Sequence, residues 1–102
     1  MKIEIKINST TQSIFVLADT DQNILMVNNK NYNINISNFV DKILDIVLLW
    51  SPVATAPIVA TDVETCKVNI ETVEKTFNYY YCGDFPASYS ELKNIIMEVS
   101  NE

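Results

Sequence analysis

The segment from Asn38 to Trp50, NFVDKILDIVLLW, constrains this chain most, because its periodicity is that of a helix with one face to bury. Spaced at about 100° per residue, Phe39, Val40, Ile43, Leu44, Ile46, Val47 and Trp50 fall within an arc of roughly 160°, with Asn38, Asp41, Lys42 and Asp45 opposite. A stripe of that width asks for a sheet to lie on. Leu48 sits on the rim of the arc and Leu49 falls in the polar strip, so a loop or a partner is expected to cover Leu49. Ser37 or Asn38 is the expected cap, with Asp41 in the first turn where a negative charge suits the helix dipole. Pro52 ends the helix.

The residues before this helix read as strands. Met1, Ile3, Ile5 and Ile7 alternate with Lys2, Glu4 and Lys6, the period-two pattern of a strand with one wet face. Ser13 to Ala18 is apolar on both faces and suits an interior position, and Ile24 to Val27 runs back after a polar turn. Asn28 to Asn31 is a further turn, and Tyr32, Ile34 and Ile36 alternate with asparagines to predict a fourth strand. After the helix, Cys66, Val68 and Ile70 alternate on one strand and Phe77, Tyr79 and Tyr81 on the next, with a turn around Thr72 to Lys75. Pairing Ile70 with Phe77, Val68 with Tyr79 and Cys66 with Tyr81 sets apolar against aromatic side chains, a favourable cross-strand combination. Ser88 and Glu91 have capping-box spacing ahead of Tyr89, Leu92, Ile95, Ile96 and Val99, the stripe of a second amphipathic helix.

The prediction is therefore a single α+β domain over residues 1–102. Its elements run β-β-β-β-α-β-β-α in a mostly antiparallel sheet, with both helices packed on one face. Because residues 13–18 and 24–27 are apolar on both sides, the other face of the sheet is expected to be covered as well, as a homodimer would do.

Composition narrows the function classes. The net charge is −6, from 13 carboxylates against seven lysines, with neither arginine nor histidine. This speaks against a nucleic-acid reader, which needs a clustered basic face. Gly83 is the one glycine, so no glycine-rich phosphate loop is present and no cofactor is expected. The longest uncharged run, Ile46 to Thr61, is broken by Pro52 and Pro57, and no membrane span is expected. The MKIEIKIN start cannot serve as the apolar core of a secretory signal. A cytoplasmic location is the expectation. A lysine-only basic set, twelve asparagines and thirteen isoleucines point to an AT-rich genome, bacterial or phage.

Motifs for catalysis are incomplete. Without histidine the commonest general base is missing, and no enzymatic activity or catalytic residue is expected. The predicted register puts Cys66 and Cys82 on opposite faces, so both are expected as free thiols, consistent with a reducing compartment. Asp19, Asp21 and Asn23 open like a calcium-binding loop, but Ile24 and Lys30 stand where the glycine and the last carboxylate belong, so no metal is expected. Asp41 and Asp45, four residues apart, lie on the wet side of the helix.

A helix ending near Trp50, two strands and the passage GDFPASYSEL, Gly83 to Leu92, resemble a pattern in small uncharacterised proteins of low-GC bacteria. The resemblance covers about half the chain, rests on turn and capping residues, and implies a fold without implying an activity.

Apolar material is in local surplus around Leu48, Leu49, Trp50, Val53, Pro57, Ile58 and Val59. The uncharged loop Ser51 to Thr61 either covers one end of the core or presents a contact patch. Tyr80 points away from the face of Tyr79 and Tyr81, where a tyrosine offers its ring and hydroxyl. The expected function is protein-protein binding by a small acidic protein of inhibitor, immunity or phage anti-defence type. Leu49, Trp50, Val53, Ile58, Val59 and Tyr80 are its candidate contacts. The alternative is a self-associating structural domain, its partner being its own copy.

Overall fold

The computed structural model describes residues 1–50, 64–83 and 85–100. Its elements are β1 (Lys2–Asn8), β2 (Ser13–Asp19), β3 (Ile24–Val27), β4 (Lys30–Asn31), α1 (Ile36–Val47), β5 (Thr65–Glu71), β6 (Thr76–Cys82) and α2 (Tyr89–Ser100). The strands form one antiparallel sheet in the order β4-β3-β2-β1-β5-β6, an α+β fold with the expected element order.

β1 lies at the centre, between β2 and β5, which explains its regular alternation: Ile3, Ile5 and Ile7 are buried while Lys2 and Glu4 stay half-exposed and Lys6 is exposed. Its buried side meets Ile14, Val16 and Ala18 of β2 and Cys66, Val68 and Ile70 of β5. On that face both helices settle. Phe39, Val40, Ile43, Ile46 and Val47 of α1 join Tyr89, Leu92, Ile96 and Val99 of α2 in one core with the sheet. The β5–β6 register is the predicted one, Ile70 opposite Phe77, Val68 opposite Tyr79 and Cys66 opposite Tyr81.

The expected fourth strand is different. Asn28 and Asn29 take positive φ of 51° and 68°, a left-handed pair that closes a two-residue hairpin from Val27 to Lys30. The strand that follows is over by Asn31, and Tyr32 and Ile34 instead pack half-buried against the core. Ile36 belongs to α1, because the Asn35 side chain caps that helix by accepting from the Asn38 N–H at 3.0 Å. The cap is thus Asn35 rather than Ser37 or Asn38, and Asp41 falls beyond the first turn, which holds no acidic residue.

At its other end α1 tightens before it stops. The Leu49 N–H donates to Ile46 O at 3.3 Å and the Trp50 N–H to Val47 O at 2.9 Å, bonds three residues apart that over-wind the last turn. The consequence is a split between neighbours, with Trp50 turned into the core at 5% exposure and Leu49 left 85% exposed.

Candidate functional site

Both helices lie on one side of the sheet, and among the described residues no helix packs on the other face. The register sets its side chains in rows. Phe15, Lys6, Lys67 and Tyr80 stand side by side on β2, β1, β5 and β6. In the next row are Met26, Leu17, Glu4, Asn69 and Asn78, followed by Ile24, Asp19, Lys2, Glu71 and Thr76. Phe15, Leu17, Ile24 and Met26 are all half-buried, so the β2–β3 side of this face is apolar and only partly wet. This is the part of the chain that reads as apolar on both sides.

Lys6 and Lys67 are directly opposite each other, an arrangement of like charges that costs stability on a sheet. Lys6 Nζ rests over the Phe15 ring at 5.5 Å from its centroid, and Lys67 is flanked by Tyr80. Among the described residues neither lysine has an ion-pair partner, whereas Lys2 reaches Glu4 at 3.3 Å. Asn69 donates to Asn78 Oδ1 at 2.8 Å beside them. The face thus sets two lysines without an ion-pair partner among the described residues between Phe15 and Tyr80, with Glu4, Asp19 and Glu71 in the neighbouring rows.

Tyr80 lies where the alternation puts it, half-buried on the open face with Tyr79 buried behind it. Trp50 does not join it. Expected as a contact for a partner, it is instead a core residue, with ring centroids of Tyr79, Tyr81 and Tyr89 at 6.4, 5.5 and 6.4 Å. Its indole N–H donates to Ser88 Oγ at 2.8 Å. Leu49 is exposed, and Val53, Ile58 and Val59 lie outside the described residues.

A second polar group joins β5 to α2. Tyr89 OH donates to Glu64 Oε2 at 2.6 Å, and Lys93 Nζ reaches both Glu64 oxygens at 3.3 Å and lies over the Tyr89 ring. Burial first, then the bond to Glu64, raise the Tyr89 pKa, so its phenol stays protonated. Burial, helped by the Glu64 charge, pushes the Cys66 thiol up to about 12, which makes it a poor nucleophile. Both cysteines are free, on opposite faces as the register requires.

The remaining motifs are occupied in turns and on solvated surface. Asp19 Oδ1 accepts from the N–H groups of Asp21 and Gln22 at 2.9 and 3.2 Å, the ordinary work of an aspartate in a turn. Asp41 and Asp45 are exposed on α1. Among the described residues no helix is long and apolar enough to cross a membrane. Comparison with protein-family models, curated proteins and solved structures returns no match.

Sequence reasoning missed most of this surface. The signal was present in Ser13 to Ala18 and Ile24 to Val27, but which of their residues would face the helices depends on the strand order.

Proposed function

We propose that this chain is a small acidic protein that acts by binding another protein, without catalysis, in the manner of an inhibitor, an immunity protein or a phage anti-defence factor. The observation that carries the reading is the helix-free face of the sheet, where Phe15, Leu17, Ile24 and Met26 are only half-buried and Tyr80 stands beside Lys67. A contiguous apolar area of this kind, rimmed by polar groups, is characteristic of interaction surfaces. Tyrosine is enriched at binding hot spots, and a carboxylate-bearing partner would relieve the opposed Lys6 and Lys67. The contact residues proposed are accordingly Tyr80 from the sequence, joined by Phe15, Leu17 and Met26, with Leu49 a separate exposed point. Two free thiols suit a reducing, cytoplasmic setting.

The immobilised protein is tested against lysate of its own source, in parallel with Tyr80→Ala and Leu17→Ser variants of unchanged circular dichroism. A protein retained by the wild type and lost from both variants supports the reading. Equal retention by all three overturns it.

A further inference from the structure

The two edges of the sheet are built differently. At one edge β4 is two residues long and carries Lys30, and a short charged edge protects a sheet against pairing with other chains. At the other, β6 runs for seven residues, TFNYYYC, with no charge and no proline, and pairs residue for residue with β5 without a bulge. Among the described residues no strand lies on its outer side.

The hydrogen bonds at both ends of the β5–β6 hairpin fix which backbone groups β6 turns outward. The Thr72 N–H donates to Lys75 O at 2.8 Å, and the Gly83 N–H donates to Glu64 O at 3.1 Å. Both pairs belong to the same register as Ile70 with Phe77, so the closely bonded pairs fall on the odd-numbered residues of β6. Thr76, Asn78, Tyr80 and Cys82 therefore direct their N–H and C=O groups away from β5, along an edge on which no described strand lies.

We infer that this edge is an interface for a second copy of the chain, with β6 pairing antiparallel to itself about a two-fold axis at Tyr79. The register that pairs the whole strand sets Thr76 opposite Cys82 of the second copy, Phe77 opposite its Tyr81 and Asn78 opposite its Tyr80. In that register outward-facing groups meet outward-facing groups, so both edges are satisfied without a slip. A two-fold axis brings an identical strand in the antiparallel sense that this pattern requires. Charge favours the same occupant. Two chains of net charge −6 can approach along a strand that carries none.

Trp50 packs against Tyr79 and Tyr81, so the end of α1 lies under β6, and the residues just before it, Leu48 and Leu49, are 53% and 85% exposed. This interface uses the backbone edge of β6 and the proposed partner surface the side chains of the open face; the two meet at Tyr80, so Leu17→Ser on β2 tests the face while Asn78→Pro tests the edge.

Light scattering from about 100 µM to about 1 µM, spanning a Kd of micromolar order, measures the association. The wild type should show twice the monomer mass at the upper end. Asn78→Pro, which removes an outward N–H and leaves the β5 bonds in place, should halve it with unchanged circular dichroism. A monomer throughout, or a dimer that survives Asn78→Pro, overturns the inference.

Because Asn78→Pro could disturb the fold, a second variant reads the register directly. Thr76→Cys should form a covalent dimer through Cys82 on mild oxidation, since closely bonded pairs hold their Cα atoms about 5.5 Å apart, within disulfide reach. Within one chain these positions are about 20 Å apart along the strand, too far to join. No cross-link, or one that persists when Cys82→Ser is added, contradicts the pairing.

Discussion

The Trp50 indole N–H and Ser88 Oγ meet at 2.8 Å across 38 residues of chain, and their bond joins the end of α1 to the start of α2. Around it the indole stands edge-on to Tyr79 and Tyr81, at interplanar angles of 82° and 86°. Edge-to-face rings of this kind contribute beyond their buried area. The helices are thus tied to each other and to β6 through one side chain.

Removing that side chain should therefore cost stability before it touches any binding. Trp50→Ala is expected to lower the free energy of unfolding by about 3–5 kcal/mol, the range for deleting a buried aromatic residue. Ser88→Ala removes only the acceptor and should cost about 1–3 kcal/mol, since the indole donor is left without its partner. Urea unfolding followed by far-ultraviolet circular dichroism measures both. An unchanged midpoint for Trp50→Ala would mean that the ring is not part of the core.

High pH should unfold the protein through its buried acids. The Cys66 thiol is held protonated up to about 12 against its ordinary 9.0, so the folded state keeps a proton that the unfolded chain releases. Its contribution is complete below pH 9 and is lost as the pH rises towards 12, at most roughly 4 kcal/mol. Tyr89, raised from 10.0, adds to the loss above pH 10. Denaturant midpoints between pH 8 and 12 should fall steadily. Cys66→Ala, less stable at pH 8, should show the shallower decline.

Within the group at the start of β5, the phenol should matter more than the ion pair. Lys93 and Glu64 keep 28% and 26% of their side-chain surface exposed, so solvent screens their attraction, worth about 1 kcal/mol or less. The Tyr89 hydroxyl bonds a carboxylate at 2.6 Å from a buried ring, and Tyr89→Phe should cost roughly 1.5–3 kcal/mol. Comparing Tyr89→Phe with Lys93→Met by thermal unfolding orders the two. A larger loss for Lys93→Met would reverse the account.

Where the fold was legible in the sequence, local chemistry determined the answer. The β5–β6 register could be read because apolar and aromatic residues alternate on either side of one short turn, which selects among the pairings that keep them on the same face. The stripe of α1 could be read for the same reason, and Tyr80 follows from simple alternation. The strand order could not, because placing β1 between β2 and β5 rests on contacts far apart in sequence. Ile36 shows how a pattern misleads. The alternation of Tyr32, Ile34 and Ile36 is that of a strand, yet the Asn35 cap starts the helix there.

The candidate site was legible only in part. Trp50 stood among the exposed candidates because an apolar surplus in sequence does not say which residues turn inward, and the tightened last turn of α1 decides it. The Ser88–Glu91 spacing is that of a capping box, yet the Ser88 hydroxyl receives the Trp50 indole N–H. Phe15, Leu17 and Met26 became a surface only once both helices were on the opposite face.

The claim that the helix-free face binds another protein is tested most directly by photo-crosslinking in living cells. A benzophenone amino acid is placed in turn at Phe15, Tyr80 and Val73, the last fully exposed on the β5–β6 turn. Positions 15 and 80 should yield the same cross-linked partner, while position 73 yields none. Cross-linking from position 73 alone, or from none of the three, would contradict the account.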